Sequence, residues 1–370
     1  MIEELPRFLC VSSSGDPKSR LTWSGTPFNV ISALQNTDIH SVASFFTMRY
    51  RAIKHIISIL EIVFLLDRNR SYIRRRFSSL SLYLFSKSIS PDCIVHFDSF
   101  SAPIRRRSRI EPKHVLIIDS TIAQWIRYSQ YGLTSKPRAM KFQDKYEHNV
   151  LQKYDQIFAL TENCKRSLVS DYGIAIEKIT TVRTGLGNVE LKANRATHKK
   201  FTGPTVKLLT IAKSRQFDKG IDLLIESVKK LNENYEIKLT IVGKCNFSPL
   251  PDWVINRVDL TVEELNLIYE ESDIFSLPAR FEPYGLVYLE AATKGLPILA
   301  TVNSGIAPEI IPPLYGRIVE ADIDSITEGL GSIIEELPGL NHENDVSIAN
   351  QIGLSFNWAT LADLLVLQAT

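Results

Sequence analysis

The stretch IFSLPARFEPYGLVYLE, residues 274–290, decides the fold. Its opening IFSLP is a short apolar run that reads as a buried strand, and the polar residues after it break the run. Around Tyr284 and Gly285 the pattern turns helical and continues through Glu290. A strand leading through a polar loop into a helix is the repeating unit of a parallel sheet with crossover helices. The helix opening has unpaired backbone N–H groups, and Gly285 lets an anion approach them closely. Glu282 and Glu290 flank this phosphate-friendly point, a pairing that suits a ligand rich in hydroxyls.

The same alternation extends on both sides. Downstream of residue 205 the pattern predicts strands at 207–212, 238–242, 274–277, 297–300 and 317–319, with helices at 220–231, 261–270 and 285–293. Upstream it predicts strands at 8–12, 42–46, 93–97, 114–119 and 156–160. The class is therefore α/β, with two doubly wound domains. The polar stretch THKKFTGPT, 197–205, contains Gly-Pro without hydrophobic periodicity and reads as a linker between a first domain, 1–196, and a second, 206–355. An amphipathic tail, 356–370, carries Leu361, Leu364, Leu365 and Leu367 at roughly helical spacing. Two such domains facing a cleft would form a site from strand-to-helix loops.

Composition excludes several classes. The chain has 370 residues, 44% hydrophobic and 23% charged, which gives enough apolar mass for two cores. Its longest apolar run, 56–66, contains Glu61 and stops at Asp67, short of the ~20 residues that a membrane-crossing helix needs. Glu3 and Glu4 stand where a secretory signal carries Lys or Arg, so a cytoplasmic location is expected. Cys10, Cys93, Cys164 and Cys245 lie far apart without a C-x-x-C pair and read as reduced thiols. The net charge of +2 hides an asymmetry: residues 1–200 hold 31 Lys/Arg against 17 Asp/Glu. The excess is clumped at Arg68, Arg70, Arg74, Arg75 and Arg76 and at Arg105, Arg106, Arg107 and Arg109. Such a surface is expected to draw the first domain to an anionic acceptor or to the inner membrane face as a peripheral protein. Nucleic acid is not expected, because the clusters lack interleaved aromatics and a known module.

Two further loops favour phosphate. SRQFDKG, 214–220, supplies Arg215 and Lys219 before Gly220, and TVNSGIAPE, 301–309, places Ser304 and Gly305 after a strand. Together with residues 278–290 they point to a nucleoside diphosphate. Asp322 and Asp324 form a D-x-D, but Asp324 reads as the N-cap of a following helix, and the seven histidines show no metal-ligand spacing. Gly185 and Gly187 begin a G-x-G that lacks the third glycine of a dinucleotide fingerprint.

The ordered segments KGIDLLIESVKKL, LTIVG, the E-x7-E motif from Glu282 to Glu290 with its PYGL, and SGIAPEII resemble the second domain of the retaining GT-B glycosyltransferases of group 1, which include glycogen-synthase-like and mannosyltransferase-like enzymes. WSGTPFNV and ALTENCKRSLVSDYG resemble the acceptor-side domain of that family. The resemblance implies a GT-B fold whose last helix crosses back to the first domain. It further implies a nucleoside-diphosphate sugar as donor, a glycan or lipid-linked hydroxyl as acceptor, and neither a cofactor nor a metal. By the same resemblance Arg215, Lys219 and Glu282 carry catalysis, with Lys213 an alternative to Arg215 because the family's arginine aligns with Ser214. Tyr284, Gly285, Leu286, Glu290, Gly25 and Ser304 bind the donor, and Asp119 and Trp23 lie on the acceptor side. Asp119-Ser120 stands where many members have His-Asp, so no catalytic histidine is implied. The alternatives are a nucleotide-sugar-binding scaffold or regulator, and an epimerase or hydrolase acting on a nucleotide sugar.

Overall fold

A computed structural model describes residues 5–46, 72–105, 111–187, 203–311, 316–339, 352 and 354–369. The apolar run 56–66, Arg68, Arg70, Arg106, Arg107 and Arg109, and most of the linker 197–205 lie outside the described residues. The chain divides into two compact units: Met1–Arg127, Tyr131–Gly185 and Asn357–Thr370 make one, and Tyr128–Gln130 and Leu186–Phe356 the other.

The first unit contains six parallel strands: β1 (Arg7–Ser12), β2 (Ser41–Phe46), β3 (Cys93–His96), β4 (Lys113–Ile118), β5 (Gln156–Ala159) and β6 (Ile179–Thr181). Their spatial order is β2-β1-β3-β4-β5-β6. β3, β4 and β5 are almost wholly buried, as expected of strands covered on both faces. Helix α1 (Thr26–Leu34) follows β1, and α2 (Tyr72–Ile89) precedes β3. α2 lays Leu82 on Leu9, Val11 and Ile94 and stacks Phe85 on Phe45, with ring centroids 4.5 Å apart. α3 (Pro137–Leu151) and α4 (Glu162–Ser170) cover the β4-β5 end, where Thr161 caps α4 by accepting from the Cys164 N–H at 3.0 Å.

The second unit contains β7 (Thr205–Ile211), β8 (Glu236–Val242), β9 (Val254–Arg257), β10 (Ile274–Ser276), β11 (Ile298–Thr301) and β12 (Gly316–Val319), all parallel, in the order β12-β11-β10-β7-β8-β9. α5 (Ile221–Leu231) buries Ile221, Leu224, Val228 and Leu231, one face at the helical period. α6 (Val262–Glu271) starts with a capping box between Thr261 and Glu264, and α7 (Leu286–Thr293) lies between β10 and β11. α8 (Ile323–Glu336) is capped by Asp322, which accepts from the Ser325 N–H at 2.9 Å; Asp324 lies in the first turn, where it pairs with Lys230. The cap is thus Asp322, two residues earlier than Asp324, where the sequence placed it. α9 (Trp358–Ala369) belongs to the first unit, where it packs against α1 and buries Leu361, Ala362 and Leu365.

Two histidines lie inside the first sheet. His96 Nε2 and His114 Nδ1 are 2.9 Å apart and both rings are buried. Burial, followed by the neighbouring His114, holds His96 well below its ordinary value; burial and Arg105 lower His114 to about 4, against the pull of Asp155. Below pH 6.5 the unfolded chain takes up these protons and the folded chain does not, so stability present above pH 6.5 is lost as pH falls toward 4. Asp98 and Glu147 are raised by burial and act with the opposite sign, so a variant comparison is needed to isolate the histidine contribution. His114→Gln is expected to lose ~2 kcal/mol less unfolding free energy than the wild type between pH 6.5 and pH 5. Urea melts across that range check it, and parallel pH slopes for the two proteins would refute it.

Candidate functional site

Strand order decides where a ligand can sit. In the second unit the chain runs outward from β7 through β8 to β9, then returns to the other side of β7 and runs from β10 to β12. The loops leaving β7 and β10 diverge at this reversal, which opens a crevice at the carboxyl ends of the strands. Those loops are residues 212–220 and 277–285, both singled out by the sequence.

Each loop is held by its own contacts. Gln216 ties the first one down, donating to the Lys244 carbonyl at 2.6 Å and accepting from the Asn246 N–H at 2.7 Å. Arg215 adopts a left-handed backbone, φ 52°, and its guanidinium lies 3.9 Å from the buried Asp218 carboxylate. Gly220 caps α5 at φ 67° with the Pro278 carbonyl 2.0 Å from where a Cβ would stand, so only glycine lets the two loops approach this closely. Arg280 locks them together: it makes a bidentate pair with Asp222, both contacts at 2.7 Å, donates to the Phe217 carbonyl and lies over the Phe217 ring. The third loop joins through Glu282 N–H to the Asn303 carbonyl and Ile306 N–H to the Tyr284 carbonyl.

At the centre, Lys219 Nζ lies 3.1 Å from Glu282 Oε2, and the two side chains are 14% and 10% exposed. Burial alone would raise the Glu282 carboxyl; Lys219, Arg215 and the Tyr284 N–H outweigh it and hold the group below its ordinary value. Of the cations flanking Ser214, it is Arg215 that joins Lys219 in this field. Gly285 caps α7 at φ 83°, with the Tyr288 ring 2.5 Å from a would-be Cβ. Its helix opens with Leu286 and carries Glu290 one turn in, buried, accepting from the Tyr269 hydroxyl at 2.9 Å. Ser304 is fully buried, and its hydroxyl braces Thr301, accepting from the Thr301 N–H at 3.0 Å. Arg215, Lys219, Glu282, Tyr284, Gly285 and Ser304 therefore lie on three loops bonded one to the next, with Leu286 and Glu290 in the helix α7 that follows the second.

The first unit repeats the device. Its order reverses between β1 and β3, and the loops after those strands are joined by Asp98, whose Oδ2 accepts from both the N–H and the hydroxyl of Ser13 at 2.8 Å. Trp23 and Ser24 adopt left-handed backbones ahead of Gly25, the N-cap of α1. That turn aims the Trp23 indole N–H at Asp119 Oδ2, 3.0 Å away, while Ser120 donates to Oδ1. Trp23 and Asp119, chosen separately from sequence, form one hydrogen-bonded pair.

Sequence reasoning missed Asp222, Arg280, Tyr269 and Asp98. Asp222 and Arg280 stand within two residues of motif positions and carry opposite charges, a signal that was available; nothing in the sequence links Tyr269 to Glu290. The basic clusters also read differently in three dimensions. Arg74 and Arg75 are buried, Arg75 lying over the Phe100 and Tyr146 rings, and Arg105 pairs with Asp155 at 2.7 Å. Among the described residues no group of His, Cys, Asp and Glu could hold a metal ion, and no helix is long and apolar enough to cross a membrane.

Residues 194–346 match the family model described as "Glycosyl transferases group 1". A glycogen synthase of Mycobacterium tuberculosis is 22% identical over 228 residues, covering 58% of this chain and 53% of the relative. A GDP-mannose-dependent monoacylated alpha-(1-6)-phosphatidylinositol monomannoside mannosyltransferase of Corynebacterium glutamicum is 31% identical over 135 residues, covering 32% of this chain and 35% of the relative. The chain spans about half the length of the first of these relatives and about a third of the second. Among solved structures, a sucrose-phosphate synthase of Thermosynechococcus elongatus superposes with a TM-score of 0.71 at 14% identity, covering 98% of this chain and 97% of that one. The fold is GT-B.

Gly220→Ala adds a Cβ both at positive φ and against a backbone carbonyl. We expect it to lower the unfolding free energy by more than ~2 kcal/mol. A urea midpoint within error of the wild type would show that the two loops are not held as described.

Proposed function

From a second unit that belongs to the group 1 glycosyltransferases, we propose that this chain transfers a hexosyl unit from a nucleoside-diphosphate sugar to a hydroxyl of a glycan or lipid-linked acceptor, with retention at the anomeric carbon. The observation that carries the reading is the buried Lys219–Glu282 pair, with Arg215 beside it, at the strand-order reversal.

The chemistry follows from where charge develops. Breaking the bond from the anomeric carbon to the diphosphate leaves negative charge on phosphate and an oxocarbenium-like sugar. Arg215, Lys219 and the N–H groups at Tyr284, Gly285 and Leu286 are the groups suited to the leaving phosphate, so the charge is met without a metal. Glu282, kept ionised by its two cations, accepts from sugar hydroxyls and holds the Lys219 ammonium in place. Glu290 is suited to ribose hydroxyls, with Tyr269 fixing one of its oxygens. Asp119, oriented by Trp23, is assigned to the acceptor side. No protein nucleophile is invoked: the acceptor hydroxyl attacks from the face the leaving group vacates.

The test is calorimetric titration with UDP, GDP, ADP and their common sugar conjugates. One nucleotide is expected to bind, and Glu290→Ala to weaken it by about tenfold or more, as loss of a charged hydrogen-bond acceptor does. Lys219→Ala is expected to lower transfer rate by ~10²-fold or more. Failure of every nucleotide to bind would discard the reading, and sugar-nucleotide turnover without an acceptor would replace it with hydrolysis or epimerisation.

A further inference from the structure

The G-x-G of Gly185, Leu186 and Gly187 fits no dinucleotide fingerprint and takes no part in the three bonded loops. Its two glycines have separate physical causes. Neither adopts the left-handed backbone that favours glycine, so what fixes each is the space a side chain would need. Gly185, in the first unit, faces Trp358 at the start of α9: the indole Cδ1 stands 2.1 Å from where a Cβ would be. That glycine serves packing.

Gly187, in the second unit, meets a different neighbour. A Cβ there would stand 2.6 Å from Glu290 Oε1 and 3.7 Å from its Cδ, with Leu286 Cδ1 at 3.6 Å. Among these nearest atoms only the carboxylate oxygen is closer than a side chain tolerates, since ordinary contact begins at 3.4 Å. The end of a glutamate can usually swing aside. Here it is held: the side chain is buried, and the Tyr269 hydroxyl donates to Oε2 at 2.9 Å. Tyr269 is itself wholly buried, its ring centroid 6.3 Å from that of Phe275. One oxygen is tied to α6 while the other lies against Gly187, so the plane of the carboxylate is set from both sides. Hydroxyls bond best near that plane, and a turned carboxylate loses them.

Resting on the assignment of Glu290 to ribose hydroxyls, we propose that Gly187 is a positioning residue for the nucleotide. By carrying no side chain it leaves the Glu290 carboxylate in the plane that accepts those hydroxyls, and the site selects a ribonucleotide through Gly187 as well as through Glu290.

Calorimetry on the full chain, with UDP, GDP and ADP against their 2′,3′-dideoxy counterparts, tests it. For the nucleotide that binds, the wild type is expected to favour the ribose form about tenfold or more. Gly187→Ala is expected to bring the ribose form down to the affinity of the dideoxy form, to leave the dideoxy form unchanged, and to keep the wild-type urea midpoint because its backbone is unstrained. In a Glu290→Ala background the same substitution is expected to have no further effect, the carboxylate it displaces being gone. A full ribose preference in Gly187→Ala, an equal loss for both forms, or additive losses in the double variant would each overturn the proposal and leave the ribose assignment standing. No ribose preference in the wild type, or no nucleotide binding at all, would overturn that assignment and this proposal with it.

Discussion

The ion pair between Lys219 and Glu282 depends on the second sheet being wound in both directions from β7. Sixty-three residues separate the two side chains, and only the adjacency of β7 and β10 brings their loops together. Removing water from both groups is costly, and a buried pair often does little for net stability. A pair of this kind at the carboxyl edge of the sheet fits the phosphate-binding role proposed for it. The supporting contacts fix the loops on either side of it: Arg280 with Asp222, Gln216 with Lys244 and Asn246, and the Asp218 carbonyl with the Phe281 N–H.

Much of this was legible before the fold was known. Apolar runs such as residues 207–212 and 238–242 could only be buried strands, and the glycines at 220 and 285 stood where helices had to begin. What escaped were short edge elements. β9 has one half-buried residue followed by three exposed ones, so VINR lacks the apolar density that marks a central strand, and β6 has only three residues. The partnership of Tyr269 with Glu290 was invisible for a different reason: a hydroxyl reaching across from α6 to α7 leaves no local pattern in either segment.

Charge was the least transferable reading. An arginine run in sequence suggests a solvated face, yet on α2 the helical turn sends Arg74 and Arg75 inward while Arg76 stays exposed. Arg75 is accommodated between the Phe100 and Tyr146 rings, and its charge bears on Asp98 and Glu147. Part of the first half's positive excess is therefore internal neutralisation of buried carboxylates, not a surface field.

The two edges of the first sheet follow different rules. At the carboxyl edge, long strand-to-helix loops have room to carry Ser13, Trp23, Asp98 and Asp119, and these side chains bind one another. At the amino edge, connections are short: α2 ends at Ile89, Ser90 turns through a left-handed backbone, and β3 begins at Cys93. Such tight returns normally seal this end of a parallel sheet with packed side chains. Here Ser79 and Ser86 of α2, and Ser90 in the turn just beyond it, line a cavity of about 610 Å³ where larger residues would close the gap. Between those serines α2 still turns Leu82 and Phe85 onto the sheet, so the small residues leave a gap without breaking the apolar face of the helix.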